Sequence, residues 1–109
     1  MNRSSVFTPV LLRFPGEVAR EDGWGRLLEL RASSAKLSTQ TPLDRGESLR
    51  LEFEVNGERF PDLRARVECV ERDEDGFLAA DLRFEDEVEK RRLARTLADL
   101  LARQVDSPK

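Results

Sequence analysis

The sequence predicts a mostly β domain, a small barrel or sandwich, that ends in one amphipathic α-helix. Three observations carry this. Apolar and charged residues alternate over Leu49 to Val55, Leu63 to Arg72 and Leu78 to Phe84, the period-2 pattern of half-buried strands. Turn signals punctuate the pattern at Pro15-Gly16, Thr41-Pro42-Leu43-Asp44-Arg45-Gly46, Asn56-Gly57 and Asp73-Glu74-Asp75-Gly76. After Glu85 the period changes, and Leu93, Leu97, Leu100 and Leu101 recur at helical spacing.

Taken in order, Met1 to Phe7 reads as flexible, and Thr8-Pro9 leads into a strand. In it Val10, Leu12 and Phe14 alternate with Leu11 and Arg13 until Pro15-Gly16 stops the run. Glu17 to Gly25 is polar, and Gly23-Trp24-Gly25 is too permissive in backbone for a strand centre. That stretch is expected as a loop or a strand entrance. A short apolar strand (Leu27, Leu28, Leu30), a polar bend (Arg31-Ala32-Ser33-Ser34) and a second short strand (Ala35 to Leu37) come next.

The strands Leu49 to Val55 and Leu63 to Arg72 are expected to pair antiparallel with Val55 opposite Leu63, across a loop carrying Asn56-Gly57 and Phe60-Pro61. One face is then wholly apolar: Val55/Leu63, Phe53/Ala65, Leu51/Val67 and Leu49/Cys69. The other carries Glu54/Arg64, Glu52/Arg66 and Arg50/Glu68, opposite-sign pairs expected to add about 0.2–1 kcal/mol each. A slip of one residue would turn the apolar set to water. A third strand presents Leu78, Ala80, Leu82 and Phe84 on one face.

Glu85-Asp86-Glu87 supplies acids for the helix N-terminus. Asp86/Lys90, Glu87/Arg91, Arg95/Asp99 and Asp99/Arg103 are expected as i,i+4 pairs worth a few tenths of a kcal/mol each. The leucine stripe is expected to cover an end or side of the β-structure, with self-association or a partner groove as the alternative.

At 109 residues and 12.5 kDa the chain is one domain by length, able to bury roughly two thirds of its unfolded surface. Residues 1–8 are expected as a flexible N-terminus, 9–85 as the β-domain, 86–104 as the helix and 105–109 as a fraying tail. Cys69 is the only cysteine, so no disulfide framework exists; it is expected as a small buried hydrophobe in an intracellular protein. The apolar run Val10-Leu11-Leu12 is far short of the roughly 20 residues a membrane span needs, which leads to the expectation of a soluble, cytoplasmic protein.

A net charge of −3 with interleaved signs argues against a broad nucleic-acid footprint. The chain has no histidine, so Ser-His or Cys-His nucleophiles and histidine-bearing metal sets are impossible. No GxGxxG or GxxxxGK[ST] motif cradles phosphate. A non-enzymatic protein without catalytic or metal residues is expected.

From about Val10 to Gln104, the order of lead strand, bent strand pair, long hairpin, final strand and C-terminal helix resembles a PilZ domain. That resemblance implies a six-stranded antiparallel β-barrel with a C-terminal amphipathic α-helix. PilZ domains that read cyclic di-GMP carry RxxxR before the barrel and (D/N)xSxxG at its first bend. Their arginines offer bidentate donors to phosphates and guanine edges, and the glycine leaves the pocket free of a side chain. Here the second motif aligns with Glu29-Leu30-Arg31-Ala32-Ser33-Ser34, so Glu29 stands for Asp/Asn, Arg31 for Ser and Ser34 for Gly. Upstream, Arg3, Arg13, Arg20 and Arg26 have no second arginine four residues on; the only such pair is Arg91 and Arg95, in the helix.

The resemblance therefore implies a degenerate member that does not bind cyclic di-GMP. Such members act as protein–protein adaptors in bacterial motility, type IV pilus assembly, polarity or chemosensory regulation. The expected partner is a protein, met by a monomer or homodimer without membrane insertion. Candidate contact residues are the bend Arg31, Ser33 and Ser34, with Trp24 and Phe60 as aromatic anchors or lids over the core. The alternative is a cyclic di-GMP receptor with a rearranged set drawn from Arg13, Arg20, Arg26, Glu29, Arg31 and Ser34. A single-stranded nucleic-acid barrel is the third reading; it needs strand aromatics among basic residues, whereas Phe53 lies between Glu52 and Glu54.

Overall fold

A computed structural model describes residues 8–16 and 20–105, with side chains through residue 102. The flexible segment expected over residues 1–7 and the tail from 106 lie outside the described residues. The strands are β1 (Thr8–Arg13), β2 (Gly23–Leu30), β3 (Ser34–Thr39), β4 (Ser48–Val55), β5 (Glu58–Arg72) and β6 (Leu78–Phe84), followed by helix α1 (Glu87–Val105). They form a closed barrel in the order β1-β2-β3-β6-β5-β4, every pairing antiparallel. Two expected boundaries move: Thr8 already belongs to β1, and Val105 to the helix.

The period-2 faces fold as read. Val10 and Leu12 of β1, Leu49 to Val55 of β4 at alternate positions, and Leu78, Ala80, Leu82 and Phe84 of β6 all point into one core. Of the two expectations for Gly23-Trp24-Gly25 the strand entrance holds: all three pair with β1, and Gly25 also pairs with Thr39 of β3.

The β4–β5 register differs from the expected one. Leu51 pairs with Leu63 rather than Val67, and Leu49 with Ala65 rather than Cys69. Asn56 (φ 54°) and Gly57 (φ 80°) are both left-handed and close a two-residue hairpin in which Val55 faces Glu58, the turn whose twist matches paired strands. Phe60-Pro61 consequently lies inside β5. Pro61 falls where the register shifts between Leu51 and Phe53, a bulge where a missing N–H costs no ladder bond.

The displacement is even over this part of the ladder, so inward residues stay inward while the expected charge partners change. Arg50 bonds Asp62 at 2.7 Å, Arg66 bonds Glu85 at 3.0 Å and Arg83 bonds Glu68 at 3.0 Å. Glu52 is shared by Arg13 and Arg59. A second register shift, between Val67 and Cys69, turns Cys69 outward. Cys69 is exposed, not the buried hydrophobe expected, and Val70 packs partly on the core in its place.

Asp86 caps α1, its Oδ1 accepting from the N–H groups of Val88 (3.1 Å) and Glu89 (3.3 Å). With Asp86 so engaged, Lys90 pairs with Glu87 at 2.8 Å, and Arg92 with Glu89 at 2.8 Å. These i,i+3 bridges stand where Asp86/Lys90 and Glu87/Arg91 were expected; those two and Arg95/Asp99 do not form among the described residues, and Asp99/Arg103 lies outside the described side chains. Leu93 is fully buried in the barrel core, and Leu97 and Leu100 pack partly against it. Leu101 leaves the expected stripe and is 61% exposed.

Candidate functional site

Alternation along β2 decides what the outer wall offers. Leu27 points inward and is fully buried, so Gly25 and Gly23 are the inward positions and Trp24 and Arg26 the outward ones. A Cβ on Gly25 would lie 2.9 Å from the Ser38 carbonyl oxygen and 3.0 Å from Leu37 Cδ1. The glycine thus lets β3 close against β2 at a point with no room for a side chain. Thr39, buried at the end of β3, donates its hydroxyl to the Trp24 carbonyl at 2.7 Å and accepts the Thr41 N–H at 3.0 Å. The backbone beneath Trp24 is held from both sides, while its side chain is 64% exposed.

Trp24 separates two depressions. One, of about 430 Å³, is lined by Trp24, Gly25, Arg26, Ser38, Thr39, Gln40, Asp73, Asp75 and Phe77. Its far wall is the β5–β6 turn, where the Asp73 N–H donates to the Phe77 carbonyl at 2.7 Å and Asp73 Oδ1 accepts the Glu74 N–H at 2.6 Å. The other is smaller and is lined by Pro9, Leu11, Trp24, Glu52, Phe53, Glu54 and Arg59.

The bend lies elsewhere on the barrel. Its Arg31 N–H donates to the Ser34 carbonyl at 2.8 Å, and its Ser33 carbonyl accepts the Phe84 N–H at 2.9 Å, so the bend is fastened to β6. A depression of about 310 Å³ beside it is lined by Glu29, Arg31, Ser34, Ala35, Lys36, Glu68, Asp81 and Leu82. Its cations Arg31 and Lys36 stand among three carboxylates, of which Glu68 is held by Arg83 and Glu29 lies 3.8 Å from Arg31. Such a lining offers a phosphodiester no pair of convergent arginines.

The arginines considered for a rearranged receptor site do not converge. Arg13 is held by Glu52, and Arg20 by Glu47 with its guanidinium carbon 3.7 Å from the Phe14 ring centroid. Arg26 faces the Trp24 groove and Arg31 the bend. Arg3 lies outside the described residues. Phe60 is fully buried; it is a core residue beneath Arg92, not an exposed anchor. The residues that join Trp24, namely Asp73, Asp75 and Phe77, were legible in sequence only as a turn, because what brings them to Trp24 is the pairing of β3 with both β2 and β6.

Among the described residues no group of three or more Cys, Asp or Glu side chains is placed to hold a metal ion, and no helix is long and apolar enough to cross a membrane. Compared with known proteins, the chain matches no family profile and no curated sequence.

Proposed function

We propose that this protein is a non-enzymatic contact module, a PilZ-like barrel that recognises a protein partner instead of cyclic di-GMP. The observation that carries the reading is Trp24, a large aromatic 64% exposed on a strand whose backbone is fixed by Thr39 and by the close approach at Gly25. An aromatic presented on rigid backbone loses little freedom on binding, which is what a contact hot spot requires. The scattered arginines and the carboxylate-rich bend support the negative half of the reading. By the same resemblance, the module belongs to cytoplasmic bacterial signalling of the motility, pilus, polarity or chemosensory kind, as a monomer or homodimer.

The test is titration calorimetry with cyclic di-GMP up to about 100 μM, where a 1 μM site would stabilise the fold by about 2.7 kcal/mol. No heat and an unchanged Tm are expected. Saturable binding that is lost in Arg31→Ala would overturn the reading in favour of a rearranged receptor.

A further inference from the structure

We propose that the groove beside Trp24 docks a cationic segment of the protein partner, with an arginine or lysine side chain stacked on the indole and its charge turned toward Asp73 and Asp75. The proposal rests on the contact-module reading and adds the partner's chemistry. Two exposed aromatic side chains line the groove, Trp24 at 64% and Phe77 at 38%, and the face of an indole attracts a cation more strongly than any other side-chain ring. Asp73 and Asp75 line the same space and make no ion pair among the described residues, whereas most carboxylates on the barrel wall are matched by an arginine.

Charge decides between occupants. The groove sets two carboxylates against one guanidinium, Arg26. On the other flank of Trp24, Glu52 is already bridged by Arg13 and Arg59, and Glu54 makes no ion pair among the described residues. The net acidic side of the indole is therefore the groove of Asp73 and Asp75. A phosphate-bearing or acidic ligand is repelled, and an uncharged apolar one would strip water from Asp73 and Asp75 without replacing it. A cationic side chain with an apolar stem satisfies the aromatic wall and the acids together.

Trp24 is the only tryptophan, so its fluorescence reports on the groove directly. The probe is acetyl-Gly-Arg-Gly-Arg-Gly-amide at about 50 mM salt, with the lysine, glutamate and leucine versions of the same peptide beside it. Saturable change is expected for the arginine and lysine peptides and none for the other two. Asp75→Asn should weaken binding about ten-fold, and Arg26→Ala should tighten it several-fold by removing the resident cation. Trp24→Ala, followed by calorimetry, should abolish binding with Tm unchanged.

No saturation with any peptide overturns the proposal, as does cationic binding indifferent to Asp75→Asn and Arg26→Ala. Equal or better binding of the leucine peptide overturns the cationic chemistry while leaving a contact surface. A concentration-dependent blue shift of the free protein replaces the partner with a second copy of the chain. Saturable heat with cyclic di-GMP is the separate result that removes the underlying reading.

Discussion

Arg92 of α1 places its guanidinium carbon 4.2 Å from the centroid of the Phe60 ring, and Phe60 in turn stacks on Phe53 with centroids 5.3 Å and planes 19° apart. The helix is thereby joined to the barrel interior through a cation and two rings. Arg92 also bonds the Arg59 carbonyl and, at 2.8 Å, Glu89. Its Nε stands 3.5 Å from Glu58 without forming a hydrogen bond. Arg92→Ala should cost about 1–2 kcal/mol in urea unfolding, with Arg92→Lys recovering part of it. An unchanged midpoint would mean that Leu93 alone docks the helix.

Gly25→Ala is expected to destabilise the barrel by about 1–3 kcal/mol, because the added methyl meets the Ser38 carbonyl, a backbone atom that moves only with its strand. Thermal unfolding measures it. A variant as stable as the parent would show that β2 and β3 separate easily.

Asp86→Ala removes the side chain that accepts from Val88 and Glu89 and should cost about 1 kcal/mol, whereas Asp86→Asn should cost little. Denaturant titration followed by far-ultraviolet circular dichroism separates the two. Equal loss in both variants would assign the effect to charge rather than to the cap.

Cys69, turned outward by the second register shift of β5, should react with a disulfide reagent in native buffer as completely as in denaturant. Protection in the native state would return Cys69 to the core and remove the bulge.

Which residues point inward was legible because alternation is local. Leu49, Leu51, Phe53 and Val55, and likewise Leu78 to Phe84, needed no knowledge of neighbours. Register was not, because it depends on how the turn closes: the left-handed pair Asn56-Gly57 makes the tightest hairpin and draws Phe60-Pro61 into the strand. Both bulges left a trace, since Phe60 to Leu63 and Val67 to Val70 are spaced by three where alternation requires two. Trp24 was singled out as an exposed anchor or a lid over the core without its exposure being decided, and its acidic neighbours come from a turn about fifty residues on, brought alongside by the pairing of β3 with β2 and β6. Such contacts are a property of topology, not of local pattern.

The barrel closes where Leu11, Leu12 and Arg13 meet Glu52, Leu51 and Arg50, with the Arg13–Glu52 bridge lying across the seam. Among the described residues closure gives every strand a neighbour on both sides. Only strand ends, such as the last residues of β5 beyond β4, are paired on one side, so the wall offers a partner side chains rather than a full strand edge. Closure also makes that short seam the guard against self-aggregation. If it opens, two strands with unsatisfied amides and an apolar inner face are bared at once, the template from which cross-β stacking grows.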